Sequence, residues 1–224
     1  MGRVLVIPDT HAPCMHSDAI DFLRQSYRDW QCDRVVHIGD VIDWYCINYH
    51  EKDLQSLQFN SEFSVAFKQV KALEKAFPEL EVLTGNHDAL PHRKASTAGL
   101  PGNVIRGNNE IWETPKWKWH TRYFKKVIDG VVYMHGDNGK GGKTPALLNA
   151  IDLFQSVVAG HHHGSAGVYY HANPSKLVFG MNVGCLIDVN HAQMSYGIKF
   201  NKKPILGCGI VIDGKYAYFE PMVK

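Results

Sequence analysis

The chain has 224 residues, 45% of them apolar, and a formal charge of +2 at neutral pH. That apolar share over this length can bury a sizeable core and fits one large domain, residues 1–224, better than two small ones. So small a charge does not imply a generally nucleic-acid-binding or membrane-seeking surface, although a local basic patch is compatible with it, and it names no partner. The cysteines, Cys14, Cys32, Cys46, Cys185 and Cys208, are odd in number, widely spaced and free of any Cys-x-x-Cys pair. This argues against a disulfide framework or a thiolate zinc site and points to a reducing cytoplasm. No apolar run reaches the length of a bilayer span, and the N-terminus enters an apolar segment without a secretory h-region. Neither secretion nor anchoring is expected.

Residues 3–8, Arg-Val-Leu-Val-Ile-Pro, read as a buried strand ended by Pro8, just before Asp9-Thr10-His11. Ser17 and Asp18 offer N-cap chemistry for a helix whose Ile20, Phe22, Leu23 and Tyr27 make an apolar face. A second strand over 34–38 stops at Gly39, which lets the backbone turn and deliver Asp40 and Asp43. Strand, helix and strand form a βαβ unit, which favours a parallel, right-handed connection. The segment 44–77 is mostly helical in pattern, clearest from Phe63 to Phe77. Leu80 to Thr84 is the next strand, followed by Gly85-Asn86-His87-Asp88.

Prolines, tryptophans, glycines and asparagines crowd residues 91–120, which therefore read as an irregular insertion. Regular structure resumes at Arg122 to Ile128, and Asp129-Gly130 turns a hairpin into Val131 to Met134, which ends in His135-Gly136-Asp137. Thr144-Pro145 opens a helix through about Phe154. Ser156 to Ala159 is a short strand leading to Gly160-His161-His162-His163-Gly164. Two further strands are expected over 167–183, and a closing hairpin over 205–221 with its turn at Asp213-Gly214.

Five strand ends thus present, in order, Asp9-x-His11, Gly39-Asp40-x-x-Asp43, Gly85-Asn86-His87-Asp88, His135 and Gly160-His161-x-His163. Any one of these is a common turn or cap sequence. Their joint spacing and order resemble the five motifs of the calcineurin-like metallophosphoesterases, over most of residues 4–163. The resemblance implies an α/β fold, a four-layer α/β/β/α sandwich of two mixed sheets flanked by helices, with a dinuclear metal centre at one end. On that pattern Asp9, His11 and His163 complete one metal and Asn86, His135 and His161 the other, while Asp40 bridges. His87 matches the family's general acid, and Asp43 would orient and charge it.

The chemistry calls for such a set on its own grounds. A phosphate ester is anionic and repels hydroxide, so hydrolysis needs cations that neutralise the phosphoryl oxygens and lower the pKa of the attacking water. Mixed nitrogen and oxygen donors without thiolate suit Mn, Fe, Zn, Co or Ni better than Mg or Ca alone, with Mn placed first. His162 is expected to face outward, and His37, on the strand itself, to be a hydrogen-bonded core histidine.

In the protein phosphatases of this family the second motif continues with Arg-Gly and Asn-His is followed by Glu. Trp44, Tyr45 and Asp88 stand here instead. The pattern is closer to stand-alone bacterial and phage phosphoesterases and to the nuclease and phosphodiesterase branches. The leading reading is a phosphodiesterase, acting on nucleic acid or nucleotides through attack of metal-bound hydroxide. A phosphomonoesterase on small phosphates is the alternative within the class, and a non-catalytic protein-binding scaffold the alternative outside it. No membrane and no obligate protein partner is implied. Trp112, Trp117, Trp119, Tyr123 and Phe124, set among Lys116, Lys118, Arg122, Lys125 and Lys126, are candidates to stack bases and meet phosphates. The alternation Lys116-Trp117-Lys118-Trp119 equally fits a strand with tryptophans packed on the core. His92 and Arg93 are further candidates to meet substrate phosphate.

Overall fold

Alternation within the first strand, β1 (Arg3–Ile7), sets up the layering: Val4 and Val6 face one way, Leu5 and Ile7 the other, and all four are buried. A strand buried on both faces needs a partner layer on each side. In the computed structural model, which describes residues 2–49, 52, 58–194 and 201–223, both layers are present. Val4 and Val6 pack with Val36, Ile38 and Leu83 against Val131, Tyr133, Val158, Phe179 and Met181 of a second sheet. Leu5 and Ile7 pack instead with Leu23, Val70 and Leu73, which come from helices.

The first sheet joins β1 to β2 (Arg34–His37), β3 (Leu80–Leu83) and β4 (Trp117–His120), all parallel, and its other edge is completed by antiparallel β10 (Gly207–Ile212) and β11 (Tyr216–Pro221). Helices α1 (Ala19–Asp29) and α2 (Phe59–Ala76) supply the layer outside it. The second sheet has the order β5 (Lys126–Ile128), β6 (Val131–Met134), β7 (Val157–Ala159), β9 (Lys176–Val183), β8 (Ala166–Asn173), in which β6, β7 and β9 are parallel and the two edges antiparallel. Helix α5 (Pro145–Leu153) covers it, with Ala146 and Ala150 against Val132, Met134, Val157, Ala159 and Val178. This is the expected four-layer α/β/β/α sandwich of two mixed sheets flanked by helices. Both expected hairpin turns form, with Asp129-Gly130 and Asp213-Gly214 each placing two successive residues at positive φ, as the tight primed turns require.

The structure departs from the sequence reading in four places. Asp18 is the N-cap residue of α1, yet neither its side chain nor that of Ser17 caps an amide; Ser17 bonds Asp18 instead. Within 44–77 only α2 is a full helix; Tyr45–Ile47 is a single 3₁₀ turn, and residues 50, 51 and 53–57 lie outside the described residues. The strand foreseen from Arg122 begins only at Lys126. The stretch 91–120, expected to be irregular, carries most of α3 (Leu90–Thr97), a 3₁₀ turn over Gly102–Val104, the short α4 (Asn108–Ile111) and β4, which pairs with β3 from Leu80↔Trp117 to Leu83↔His120. Breaker residues punctuate this stretch, but backbone pairing to an open sheet edge and burial of its tryptophans outweigh them. Trp112 and Trp117 are buried against α2, Trp117 donates its indole N–H to the Phe77 carbonyl (2.9 Å) and Trp119 donates to Thr114 Oγ1 (3.1 Å). Trp112 and Trp117 therefore offer no face to a base, and Trp119 is half-buried against the core.

Candidate metal centre at the strand ends

Because β1, β2 and β3 are parallel, their carboxyl ends lie at one end of the first sheet, and the parallel pair β6 and β7 brings its carboxyl ends to the same place. The loops there are cross-linked through the backbone. Asp40 O accepts from Thr10 N (3.1 Å) and His11 N (2.9 Å), Ala12 bridges Ile42, and Gly160 N donates to His135 O (2.9 Å). Three of the residues so delivered are held at positive φ without being glycine: His11 (46°), Asp40 (48°) and His161 (64°). Such backbone costs on the order of 1 kcal/mol or more per residue and clusters at functional sites. Gly39 (φ 110°) makes the turn before Asp40, and a Cβ on Gly85 would lie 2.1 Å from Asp40 Oδ1, so only glycine lets the third loop close over that carboxylate.

All nine residues singled out by the sequence converge on this end. Asp9, His11 and His163 form one group of ligand-type side chains, and Asp40, His135 and His161 a second. His163 Nε2 lies 3.1 Å from Asp9 Oδ2, and the two Asp9 oxygens accept from His161 N at 3.2 and 3.0 Å. His135 Nε2 lies 3.2 Å from Asp40 Oδ2 and 3.1 Å from Asn86 Oδ1, while its Nδ1 faces the Ile38 carbonyl at 3.1 Å. Asp40 stands between the two groups, with Oδ2 3.7 Å from His11 Nε2 and Oδ1 accepting from His87 N at 2.8 Å.

Among the described residues, His11 Nε2 and Asp43 Oδ2 are buried in this cluster without a hydrogen-bond partner. An unpaired buried polar atom is costly, of order 1–3 kcal/mol. His11 donates its Nδ1–H to Asp43 Oδ1 (2.8 Å), so Nε2 is the ring atom with a free lone pair, and it faces Asp40 and His163. A metal cation bound here would supply the missing partner. The carboxyl–histidine pair behind it is the usual arrangement around a metal-bound imidazole. The residues present therefore fit metal ions.

Burial opposes charge throughout the cluster, and the pairing overrides it unevenly. Burial alone would raise Asp40, yet His135, His87 and His11 hold it well below the ordinary carboxyl range. Burial alone would lower His135, yet Asp40 and Asp9 lift it to about 10. His87 follows the same logic, burial being outweighed by Asp40 and Asp43, which raise it to about 9. His161 goes down to about 4, through burial and the neighbouring His135. Neutral imidazole and ionised carboxylate are the ligating forms, so loading this centre displaces protons.

The expected His87–Asp43 pair is present but shared. His87 Nδ1 lies 2.6 Å from the Asp43 backbone carbonyl and 3.3 Å from its Oδ1, the oxygen that His11 also approaches. His37 is fully buried and bonded: its Nδ1 accepts from Gly39 N (3.2 Å) and its Nε2 donates to Thr10 Oγ1 (3.2 Å), which passes its own proton to Val41 O. His162 is half-buried, with Nδ1 unpartnered, rather than turned fully outward.

Two features went unforeseen. Asp88 clamps two loops by accepting from Ile42 N (3.1 Å) and Gly85 N (2.9 Å); burial and nearby Asp40 raise it to about 7. Arg122 donates to Asp137, two residues past His135, at 2.8 and 2.7 Å. Asp88 was at least legible as the last residue of its motif. Nothing local marks the second pair.

A two-sheet α/β sandwich with carboxylates, imidazoles and one amide gathered where its parallel strands end defines a metal-dependent hydrolase of phosphate esters. The sequence profile of the calcineurin-like phosphoesterases matches residues 2–185, and the chain belongs to that family. It is similar to the Gene 54 protein of Mycobacterium phage D29, with 26% identity over 96% of this chain and 90% of the phage protein. Among solved structures it resembles YfcE, a phosphoesterase from E. coli, at TM-score 0.50 and 12% identity over 94% of this chain and 88% of that one. A Vps29 from Entamoeba histolytica aligns at TM-score 0.45 and 14% identity, over 97% and 92% of the two chains. Among the described residues no helix is long and apolar enough to cross a membrane.

Proposed function

We propose that this single domain hydrolyses phosphodiesters at a dinuclear centre. Asp9, His11 and His163 would hold one ion, Asn86, His135 and His161 the other, with Asp40 within reach of both. The observation that carries this reading is the lone Nε2 of buried His11, 3.7 Å from a carboxylate that also lies 3.2 Å from His135. Two divalent cations held there would neutralise the phosphoryl oxygens and lower the pKa of the attacking water. The mixed imidazole and carboxylate donors are compatible with Mn, placed first, and with Fe, Zn, Co or Ni.

The chain's own groups do the rest. His87, held at Nδ1 by the Asp43 carbonyl, turns Nε2 away from that contact and gives a proton to the leaving oxygen. Water supplies the new oxygen on phosphorus as the bond to the leaving oxygen breaks; of its two protons one restores His87 and the other passes to solvent, so the alcohol leaves neutral and the monoester carries one more negative charge than the diester. Asp43 keeps both His11 and His87 in orientation, and Asp88 keeps the second and third loops together. Five free thiols support a reducing, cytoplasmic setting, and the proposal needs no protein partner.

The test compares bis-p-nitrophenyl phosphate with p-nitrophenyl phosphate on Mn-reconstituted protein. Preference for the diester is expected. Preference for the monoester transfers the reading to a phosphomonoesterase, and protein that binds no metal after reconstitution transfers it to a scaffold.

A further inference from the structure

The ligand cluster does not use a set of aromatic and basic side chains placed around it. With Trp112 and Trp117 buried and Trp119 half-buried, Tyr49 (66% exposed) and Tyr123 (60% exposed) are, among the described residues, the most exposed rings on the loops at the carboxyl ends of β2 and β4, while Phe124 lies stacked on His120. Those strands are parallel to β1 and β3, so both rings stand at the end of the sheet that carries the ligands.

Each ring is tied to the centre through a cation. The guanidinium of Arg122 lies over Tyr123, 4.5 Å from the ring centroid, and is itself fastened to Asp137 on the His135 loop. Lys94 Nζ lies 4.0 Å and the Arg93 guanidinium 5.6 Å from the Tyr49 centroid, and both come from α3, which begins three residues after His87. A cation over its face holds a tyrosine ring in place, and both rings remain more than half exposed. The two sets differ in charge: Asp137 neutralises Arg122, whereas among the described residues no carboxylate pairs with Arg93 or Lys94.

An aromatic platform beside unneutralised cations is the chemistry that grips a single nucleic-acid strand: bases stack, phosphates meet the charge, and sequence is not read. Resting on the phosphodiesterase reading, we propose that the substrate is single-stranded nucleic acid. One base stacks on Tyr49 and another on Tyr123, and Arg93 and Lys94 meet a strand phosphate. This accords with the small net charge of the chain, since the positive potential is local to the strand's path.

The experiment measures kcat/KM of Mn-reconstituted protein on fluorescein-labelled dT and U 12-mers and on bis-p-nitrophenyl phosphate, for wild type and for Tyr49→Ala, Tyr123→Ala and the matching Tyr→Phe variants. Each Tyr→Ala defect on the oligomer is expected to exceed that on the small diester by on the order of tenfold, chiefly through KM, and Phe to restore it. Raised salt is expected to weaken oligomer cleavage more than small-diester cleavage. Turnover of the dT or the U oligomer supports the proposal, and the difference between them assigns DNA or RNA. Equal Tyr→Ala defects on both substrate types overturn it. So does normal bis-p-nitrophenyl phosphate turnover with no oligomer cleavage, which leaves the phosphodiesterase reading intact; loss of turnover on every substrate defeats both.

Discussion

Asp43 accepts the Nδ1–H of His11 at 2.8 Å, in a contact where both side chains are almost completely withdrawn from water. One carboxylate thereby fixes which imidazole nitrogen is offered to a cation, while its 3.3 Å approach to His87 steadies the acid. Asp43→Ala is therefore expected to weaken metal binding by about 10- to 100-fold and to lower turnover as well. Competition against a chromophoric chelator measures the first effect. Unchanged metal affinity with reduced turnover would confine Asp43 to His87 alone.

His87→Ala is expected to keep both metals and to lose about 10²–10⁴-fold in turnover on substrates with alkyl or nucleoside leaving groups. The defect should shrink with p-nitrophenolate, whose conjugate acid is already strong and gains little from protonation. Kinetics on a pair of diesters differing only in leaving group check this. An equal loss on both would take His87 out of the acid role and leave it a positioning or charge-stabilising part.

Glu81, on β3, joins the two sheets at their edge: it accepts from Lys126 of β5 at 2.9 Å and also meets His120 of β4. Burial alone would raise its pKa, but Lys126 and His120 bring it below the usual value of 4.5. A depressed acid contributes stability that is present above its unfolded pKa and lost as pH falls through its folded one. Glu81→Gln is expected to cost about 1 kcal/mol near pH 7 and less near pH 3. Urea melts at the two pH values check the difference, and an equal loss at both would show that Glu81 acts by packing.

Much of the fold was legible because its strands are short β-branched runs, each stopped by glycine or by a polar motif, so that Val35-Val36 and Gly39-Asp40 announce both an interior strand and its reactive end. The nine candidate residues lie on the loops that follow strand ends, but it is their joint spacing and order, which resemble the family's five motifs, that singles them out. The rest depends on contacts between distant segments. β4 is read from the open edge of β3, not from the proline- and tryptophan-rich sequence around it. The Asp43–His11 bond needs the bridge from Ala12 to Ile42, and Arg122–Asp137 spans the hairpin of β5 and β6. Ser17 and Asp18 have cap chemistry but bond each other, a choice that propensity does not decide.

The most direct measurement is metal stoichiometry and diester hydrolysis on the same samples of wild type and Asp40→Asn, by elemental analysis after Mn reconstitution and dialysis. The expected result is about two ions per chain with turnover in the wild type, and a parallel loss of both when the negative charge shared by the two groups is removed. An Asp40→Asn protein that keeps both ions and full activity, or a wild type that hydrolyses the diester with no metal bound, would contradict it.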